Sequence, residues 1–233
     1  MRMRWLSRLE RRYGRYAVSN LTMYIAAMNI AIVFLTYILF RGNVYNTVYA
    51  LALLPEKVLQ GQIWRLVTFI FLPDDYSLLW IFFSAYLTYI IGASLERYWG
   101  TFKLNVYILT GVLLTILGAF VTGAGYTGYY INLSLFLAFA TLFPEHEFLL
   151  FFFLPVKVKW LGLLDAFLLI YRIFDYISGG AWHLAAAVIV ALLNYLVFFG
   201  GDFINWIKMK RQVARNRKRF FDQVNPYRNN RYY

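Results

Sequence analysis

The sequence contains no cysteine, only two histidines and few charged residues. Without cysteine there is no disulfide, no thiol nucleophile and no thiolate metal site. Two histidines, His146 and His183, are too few for a dedicated zinc site, so we expect neither a metal nor a cofactor. Charged residues make up 15% of the 233 residues, whereas soluble domains usually carry about 25%. These shortages argue against a disulfide scaffold, a metalloenzyme and an ordinary soluble domain.

The chain is instead rich in apolar and aromatic residues. Hydrophobic residues account for 61% of the sequence and aromatic residues for 21%, and the mean hydropathy is +0.56. Apolar runs recur along the whole chain, with the charges in the gaps between them, and several runs approach the ~20 residues that cross a bilayer as a helix. This pattern predicts an all-α integral membrane protein.

We predict six membrane-spanning helices, with a long interfacial loop between the first and the second. The very apolar residues 148–154 lie between two prolines, so we expect an interfacial or partly buried connector there. The predicted spans cover residues 21–40, 78–91, 104–121, 130–143, 160–173 and 181–199.

The net charge of +12 is concentrated at the two ends of the chain. Six arginines occur in the first fifteen residues, and nine lysines and arginines occur between positions 208 and 231. Basic tails beside apolar helices are typical of cytoplasmic ends in contact with anionic lipid, and they do not indicate nucleic-acid binding. We therefore expect a basic cytoplasmic arm (1–19), a membrane domain (20–200) and a basic cytoplasmic tail (201–233) that is disordered beyond about residue 211.

Four segments resemble the rhomboid superfamily of intramembrane proteases, and together they cover most of the membrane core. Residues 61–68 (GQIWRLVT) resemble the tryptophan–arginine motif of the family's first extracytoplasmic loop, and 92–100 (GASLERYWG) resemble the end of its second span. The stretch from Phe143-Pro144 to Trp160 resembles the junction of its fourth and fifth spans, and 181–184 (AWHL) the start of its sixth. The resemblance implies a six-helix rhomboid-like bundle, and the short chain is compatible with a bacterial plasma membrane.

The catalytic residues of rhomboids are mostly missing from the matching positions. The family's nucleophile lies in a Gly-x-Ser-Gly motif that opens the fourth span, and an ungapped count from Pro144 places Tyr129 there. The oxyanion positions on the second span hold Trp80 and Ser84 in place of histidine and asparagine, and only His183 matches. A serine protease needs both a hydroxyl nucleophile and a base, so the resemblance implies a pseudoprotease.

Ser134 is an alternative nucleophile, because it lies five residues after the missing serine. At helical rise that places it ~7 Å deeper, which is too far from His183 for a hydrogen bond unless the sixth span is displaced inward. Helix packing is the simpler role for this small residue.

The remaining polar residues are interpreted as structural or binding groups. Trp64 and Arg65 are expected at the membrane interface, where the guanidinium can hold loop carbonyls or lipid phosphates. Glu96 can cap the next segment or pair with Arg97. Polar residues that face the bundle interior to avoid lipid are also predicted, namely Asn132, Asp165 and Asn194, with Asp165 and Arg172 as a structural pair.

Three functions are consistent with these residues. The resemblance favours a pseudoprotease that binds transmembrane segments of other proteins, in quality control or trafficking, as catalytically inactive relatives such as derlins do. An active intramembrane protease that uses Ser134 with His183 is the first alternative. An unrelated six-span carrier, with a polar cavity lined by the three interior polar residues, is the second. No oligomeric state is predicted.

Overall fold

The computed structural model describes residues 4–39, 41–73, 76–150 and 154–224. The chain divides into a first unit that ends at Tyr195 and a second that begins at Leu196. The ten α-helices in the described residues are α1 (Arg4–Tyr13), α2 (Leu21–Leu39), α3 (Val44–Leu51), α4 (Pro55–Leu59), α5 (Arg65–Thr68), α6 (Leu78–Trp99), α7 (Thr101–Thr122), α8 (Tyr129–Leu142), α9 (Val158–Ser178) and α10 (Trp182–Val224).

Each of the six predicted spans corresponds to one helix, but only some of these helices are both long enough and apolar enough to cross a membrane. Four are long and apolar enough: α2, α6, α7 and the part of α10 within Trp182–Phe221. Helix α8 has only 14 residues, about 21 Å at helical rise. Helix α9 is long enough at 21 residues, but it contains four charged residues. The structure thus has four clear span candidates in its described residues, in an almost entirely helical membrane protein.

Helices α2 and α6 form the most extensive helix pair of the first unit. A side chain at Gly92 would collide with Thr22, so the glycine lets the two helices approach closely. Helix α2 buries residues along its whole length because the other elements cover it on one side. Its buried residues are Thr22, Ile25, Ala26, Asn29, Ile32, Val33 and Thr36.

The connection between α2 and α6 is a folded segment rather than a loose loop. It contains α3, α4, α5 and a 3₁₀ turn at Phe69–Phe71. The hydroxyls of Thr36 and Thr47 are 2.9 Å apart, and the Thr68 hydroxyl donates to the carbonyl of Leu51 at 2.8 Å. With its amide oriented to face two carbonyls, Asn29 donates to Phe71 at 2.8 Å and to Ile25 at 3.2 Å. These bonds satisfy irregular backbone at membrane depth.

A short antiparallel hairpin, which was not predicted from the sequence, forms part of the predicted connector before α9. Strand β1 (Glu147–Leu150) pairs with β2 (Leu154–Lys157). The exposed carboxylate of Glu145 accepts hydrogen bonds of 2.7 Å from both Lys157 and Lys159. These bonds lower the pKa of the Glu145 carboxyl to about 2.

Both ends of the chain contain more helix than the sequence suggested. In the first unit, α1 lies within the basic arm and buries Leu6. In the second unit, α10 continues to Val224, so the expectation of disorder beyond residue 211 was wrong as far as the described residues extend. Arginine, lysine, glutamine, alanine and methionine favour helix, and no proline interrupts the run before position 226.

Candidate functional site

The start of α8, where the sequence resemblance predicted the position of a nucleophile, packs closely against the backbone of residues 69–70. The amide of Gly128 donates to the carbonyl of Phe69 at 2.9 Å. A Cβ atom at Gly128 would lie 2.9 Å from the carbonyl oxygen of Ile70, so the close approach requires glycine. The amide of Tyr129 is 3.4 Å from the hydroxyl of Thr127. The 3₁₀ turn therefore packs directly against the first residues of α8.

Tyr129 occupies the serine position and connects α8 to α9. Its hydroxyl accepts a 3.0 Å hydrogen bond from Arg172, whose guanidinium carbon is 5.8 Å from the Tyr129 ring centroid. The ring also packs edge-on against Tyr130, with centroids 5.1 Å apart. Asp165 and Arg172, predicted as a pair, do not form a salt bridge within 4.0 Å among the described residues, and the hydrogen bond of Arg172 goes to Tyr129. This contact joins residues 43 positions apart, so sequence spacing gave no sign of it.

His183 lies half-buried near the start of α10, and its backbone is part of a hydrogen-bonded chain. The Tyr126 hydroxyl donates to the His183 carbonyl at 2.7 Å and lies 2.9 Å from the Thr122 hydroxyl. The imidazole ring packs edge-on against Trp182 at 6.5 Å. Tyr126 also pairs with Leu53 through two backbone bonds of 3.0 Å. Tyr126 was not singled out from the sequence, although it lies beside the glycine-rich turn before α8.

Ser134 is fully buried and has two hydrogen-bond partners. Its hydroxyl donates to the Ile131 carbonyl at 2.9 Å and accepts from the Asn194 amide at 3.2 Å. The Tyr107 hydroxyl donates to the Ser134 carbonyl at 2.8 Å. A Cβ atom at Gly111 would lie 3.0 Å from the Asn194 amide nitrogen, so Asn194 fills the space beside that glycine. The cluster connects α7, α8 and α10 within the first unit.

The two other predicted interior polar residues are less deeply buried than Ser134 and Asn194. Asn132 is half-buried on α8, and Asp165 is half-buried on α9. The Oδ2 atom of Asp165 and the Oδ1 atom of Asn194 are buried with no hydrogen-bond partner. A buried, unpaired oxygen is costly in an apolar environment, and such atoms often mark a place where another group binds.

The two positions matched to oxyanion donors in the sequence comparison, Trp80 and Ser84, both lie on α6. Trp80 has 49% of its surface exposed and packs edge-on against Phe83 at 5.9 Å. Ser84 is half-buried one turn further along α6. A bulky indole on the helix surface cannot stand in for a histidine that donates to a developing oxyanion.

Arg65 binds the carbonyls of the long connection and is buried. Its guanidinium donates to the carbonyls of Tyr49 at 2.7 Å and Ala52 at 2.9 Å, and to the Gln62 side chain at 2.8 Å. Trp64 is half exposed beside it. The planar, five-donor guanidinium suits such multiple binding.

Glu96 fixes the start of α2 and of α7. Its carboxylate accepts from the Asn20 amide at 3.1 Å and from the Thr101 hydroxyl at 2.8 Å. Nearby, the Asn105 side chain forms two 2.9 Å bonds with the backbone of Val18, one as donor and one as acceptor. The chain that leads from the basic arm into α2 is thus held against α6 and α7.

No cluster of three or more histidine, cysteine, aspartate or glutamate residues that could bind a metal occurs among the described residues. The molecule has long apolar helices, and its buried polar side chains form hydrogen bonds that join one helix to another. It therefore belongs to the integral membrane proteins. More particularly, the chain belongs to the family described as eukaryotic integral membrane protein (DUF1751), whose model matches residues 24–202. Comparison with curated proteins and with solved structures gave no match.

The family corrects one expectation from the sequence. A bacterial plasma membrane was expected for this short, cysteine-free chain, whereas the matching family is eukaryotic. A membrane of a eukaryotic cell therefore replaces that expectation.

Proposed function

We propose that this protein is a six-span, rhomboid-like pseudoprotease that binds transmembrane segments of other membrane proteins and does not hydrolyse them. The observation that carries the proposal is the start of α8, where Tyr129 stands at the serine position and binds Arg172. Ser134 is bound to Ile131 and Asn194, so its hydroxyl is not poised beside His183. A hydrolase without an activated nucleophile retains only its binding surfaces.

The six-span topology includes α8 and α9 as shorter or more polar spans. A helix of about 21 Å is shorter than the ~30 Å hydrocarbon core, so the bilayer must thin around α8. Local thinning lowers the cost of exposing the polar residues of a neighbouring segment. In this arrangement residues 1–19 and 201–233 are basic cytoplasmic ends that flank a membrane domain of residues 20–200, as the distribution of positive charge favours.

The uncovered side of α9 is the surface that we assign to clients. This helix packs on α8 and β2 and buries only Val158, Gly162 and Leu169. The Oδ2 atom of Asp165 is buried without a hydrogen-bond partner, so a polar group of an incoming helix can reach this acceptor once the side chains that cover it move. The large exposed hydrophobic residues of α9 are Trp160, Leu163, Leu164, Phe167, Leu168, Ile170, Tyr171, Phe174 and Ile177.

A probe for serine hydrolases tests the absence of catalysis. The protein in native membranes should not react with a fluorophosphonate, whereas an active rhomboid protease added to the same membranes should be labelled. Labelling that disappears in Ser134→Ala would establish the displaced-serine protease instead.

Crosslinking in native membranes tests client binding. A photoreactive residue at Phe167 on α9 should yield crosslinks to membrane proteins, and Asp165→Leu should reduce them. The Trp64→Ala variant, a half-exposed position away from α9, is the control and should keep them. Equal crosslinking in all three proteins would contradict the assignment of clients to α9.

The carrier alternative predicts a different result. Asn194 is packed between Gly111 and Ser134, so a solute path there would require the bundle to open. Reconstituted vesicles that take up a polar solute, and lose that uptake in Asn194→Leu, would favour the carrier over the pseudoprotease.

A further inference from the structure

An apolar groove lies between α2, α7 and the segment at 66–71, on the side of the first unit where the basic arm begins. Its volume is about 460 Å³, within the ~300–1,000 Å³ of typical small-molecule sites. The deep wall includes Ile25, Phe71 and Val112, and no charged residue lines it. Asn105 also lines it, but the Asn105 amide is bonded to Val18 and Thr101. The groove therefore suits a flexible apolar chain.

The mouth of the groove carries positive charge. Tyr13 and Tyr16 line it, and each has an arginine beside it. The Arg12 guanidinium lies 5.4 Å from the Tyr13 ring centroid, and Arg15 donates a 2.8 Å hydrogen bond to the Tyr16 hydroxyl. Both arginines are exposed and can turn toward an anion.

The charges around the mouth leave a net positive potential. The acidic residue of α1, Glu10, lies 3.8 Å from the Lys103 amine of α7, which offsets its charge. The arginines at positions 8 and 11 are also exposed on α1. The Glu96 carboxylate near the starts of α2 and α7 accepts from the Asn20 amide and the Thr101 hydroxyl. An anionic group at the mouth would therefore meet the exposed Arg12 and Arg15, and the exposed arginines of α1 outnumber the nearby carboxylates.

The dimensions of the groove indicate its occupant. Along α7 it extends from Phe102 to Val112, about 15 Å at helical rise. That is half of a ~30 Å hydrocarbon core, hence one leaflet. A single acyl chain is much narrower than an α-helix of ~10 Å diameter and can lie along a groove of about 460 Å³. The groove therefore suits an acyl chain better than a transmembrane helix.

We propose that this groove holds an acyl chain of an anionic phospholipid from the leaflet on the side of the basic arm, with the headgroup bound by Arg12 and Arg15. The lipid fills the gap between α2 and α7 beneath the 66–71 segment, while the arginines select the headgroup. This site is separate from the client surface assigned to α9 and does not depend on it.

Lipid retention tests the proposal directly. The full-length protein is reconstituted into vesicles of equal parts phosphatidylserine and phosphatidylcholine with identical acyl chains, extracted in mild detergent, and its retained lipid is quantified by mass spectrometry. A basic residue near the membrane contributes roughly fivefold to anionic binding. We expect a preference for phosphatidylserine of roughly twenty-five-fold that falls to about one in Arg12→Gln/Arg15→Gln. The control Arg211→Gln/Arg215→Gln, with the same charge change in the tail, should keep the preference.

A second pair of variants separates the groove from the surrounding surface. Leu109 lines the groove, and Leu113, one turn further along α7, does not. They are 56% and 52% exposed, so tryptophan is tolerated about equally at both. Leu109→Trp should lose most of the retained lipid of both headgroups, and Leu113→Trp should retain it. Equal retention of the two lipids by the unmodified protein would overturn the proposal, as would equal losses in either matched pair. Neither result depends on fluorophosphonate labelling or client crosslinks.

Discussion

Helices α2 and α9 have similar lengths, 19 and 21 residues, but very different surroundings. Helix α2 buries seven residues, including two threonines and an asparagine that form part of its contacts. Helix α9 buries three and keeps most of its aromatic residues exposed. Length and hydrophobicity alone would therefore misjudge their roles. One helix is a central support of the fold, and the other is a peripheral helix with one exposed side.

The largest expected difference concerns two arginines, one bound to the connection that covers α2 and one on α9. Arg65→Met leaves the carbonyls of Tyr49 and Ala52 without a charged donor, which should destabilise the protein by about 4 kcal/mol. Arg172→Met removes one bond to Tyr129 and should cost about 1 kcal/mol. Denaturant unfolding in detergent measures both. Equal losses would show that α9 is as firmly integrated as the region around α2.

The second-largest difference in stability is expected between substitutions of two glycines that allow close helix contact. Gly92→Ala forces α6 away from Thr22 on the enclosed helix α2, and overpacking of this kind should cost about 3 kcal/mol. At Gly162 an added Cβ would lie 2.5 Å from that of Ala140, but α9 can move outward, so we expect about 1 kcal/mol.

Gly201→Ala is the control for this pair, because a Cβ atom there has nothing within 4 Å. It should be neutral or slightly stabilising, since alanine favours helix. Thermal unfolding midpoints rank the three variants. A larger shift for Gly162→Ala than for Gly92→Ala would reverse the comparison.

Replacing a polar residue inside each of the two helices should affect stability differently. Asn29→Leu removes the donor to the Phe71 carbonyl and should destabilise by about 2 kcal/mol. Asp165→Leu removes an oxygen that has no partner, so we expect no loss of stability. Denaturant unfolding in detergent measures both variants. A decrease of more than ~1 kcal/mol in the free energy of unfolding of Asp165→Leu would show that this carboxylate supports the fold.

The smallest effect should come from the ion pairs that hold the hairpin before α9. The folded pKa of Glu145 is about 2, lower than its ordinary value of 4.5. Its contribution is therefore present above about pH 4.5 and is lost as the pH falls toward 2. The thermal midpoints of Glu145→Gln and the unmodified protein should differ slightly at pH 7 and converge near pH 2. Glu56→Gln, an exposed substitution on α4, should show no such pH-dependent difference.

The sequence predicted the helical spans better than it predicted what lies between them. Apolar runs mark where helices form, because lipid requires satisfied backbone and apolar surface. The same reasoning cannot locate bonds such as Asn194 to Ser134, which join residues 60 positions apart. The hairpin was also missed, since Pro155 and the surrounding apolar residues resembled a simple connector. The basic tail was misjudged because its polar composition hid its helix-forming residues.

The positions that were matched to rhomboid catalytic residues show the same contrast between what the sequence reveals and what only the structure reveals. Counting from Pro144 identified Tyr129, whose bond to Arg172 is a property of the folded chain and left no pattern in the sequence. Trp80 could be recognised as the wrong residue type, but only the structure shows that it lies on the helix surface. The identity of these residues could be taken from the sequence. The orientation of their side chains depends on how α6, α8 and α9 pack and could not.

The contact of Phe69 and Ile70 with Gly128 also bears on evolutionary reversibility. If the ancestor was a protease, replacing Tyr129 with serine would not restore its activity. The Gly128 amide is already bonded to Phe69, and the carbonyl of Ile70 occupies the space beside it. A return to catalysis would also require the preceding turn to move and Arg172 to find another partner. The turn at Phe69–Phe71 and the bond from Arg172 to Tyr129 therefore limit what a substitution at position 129 alone can change.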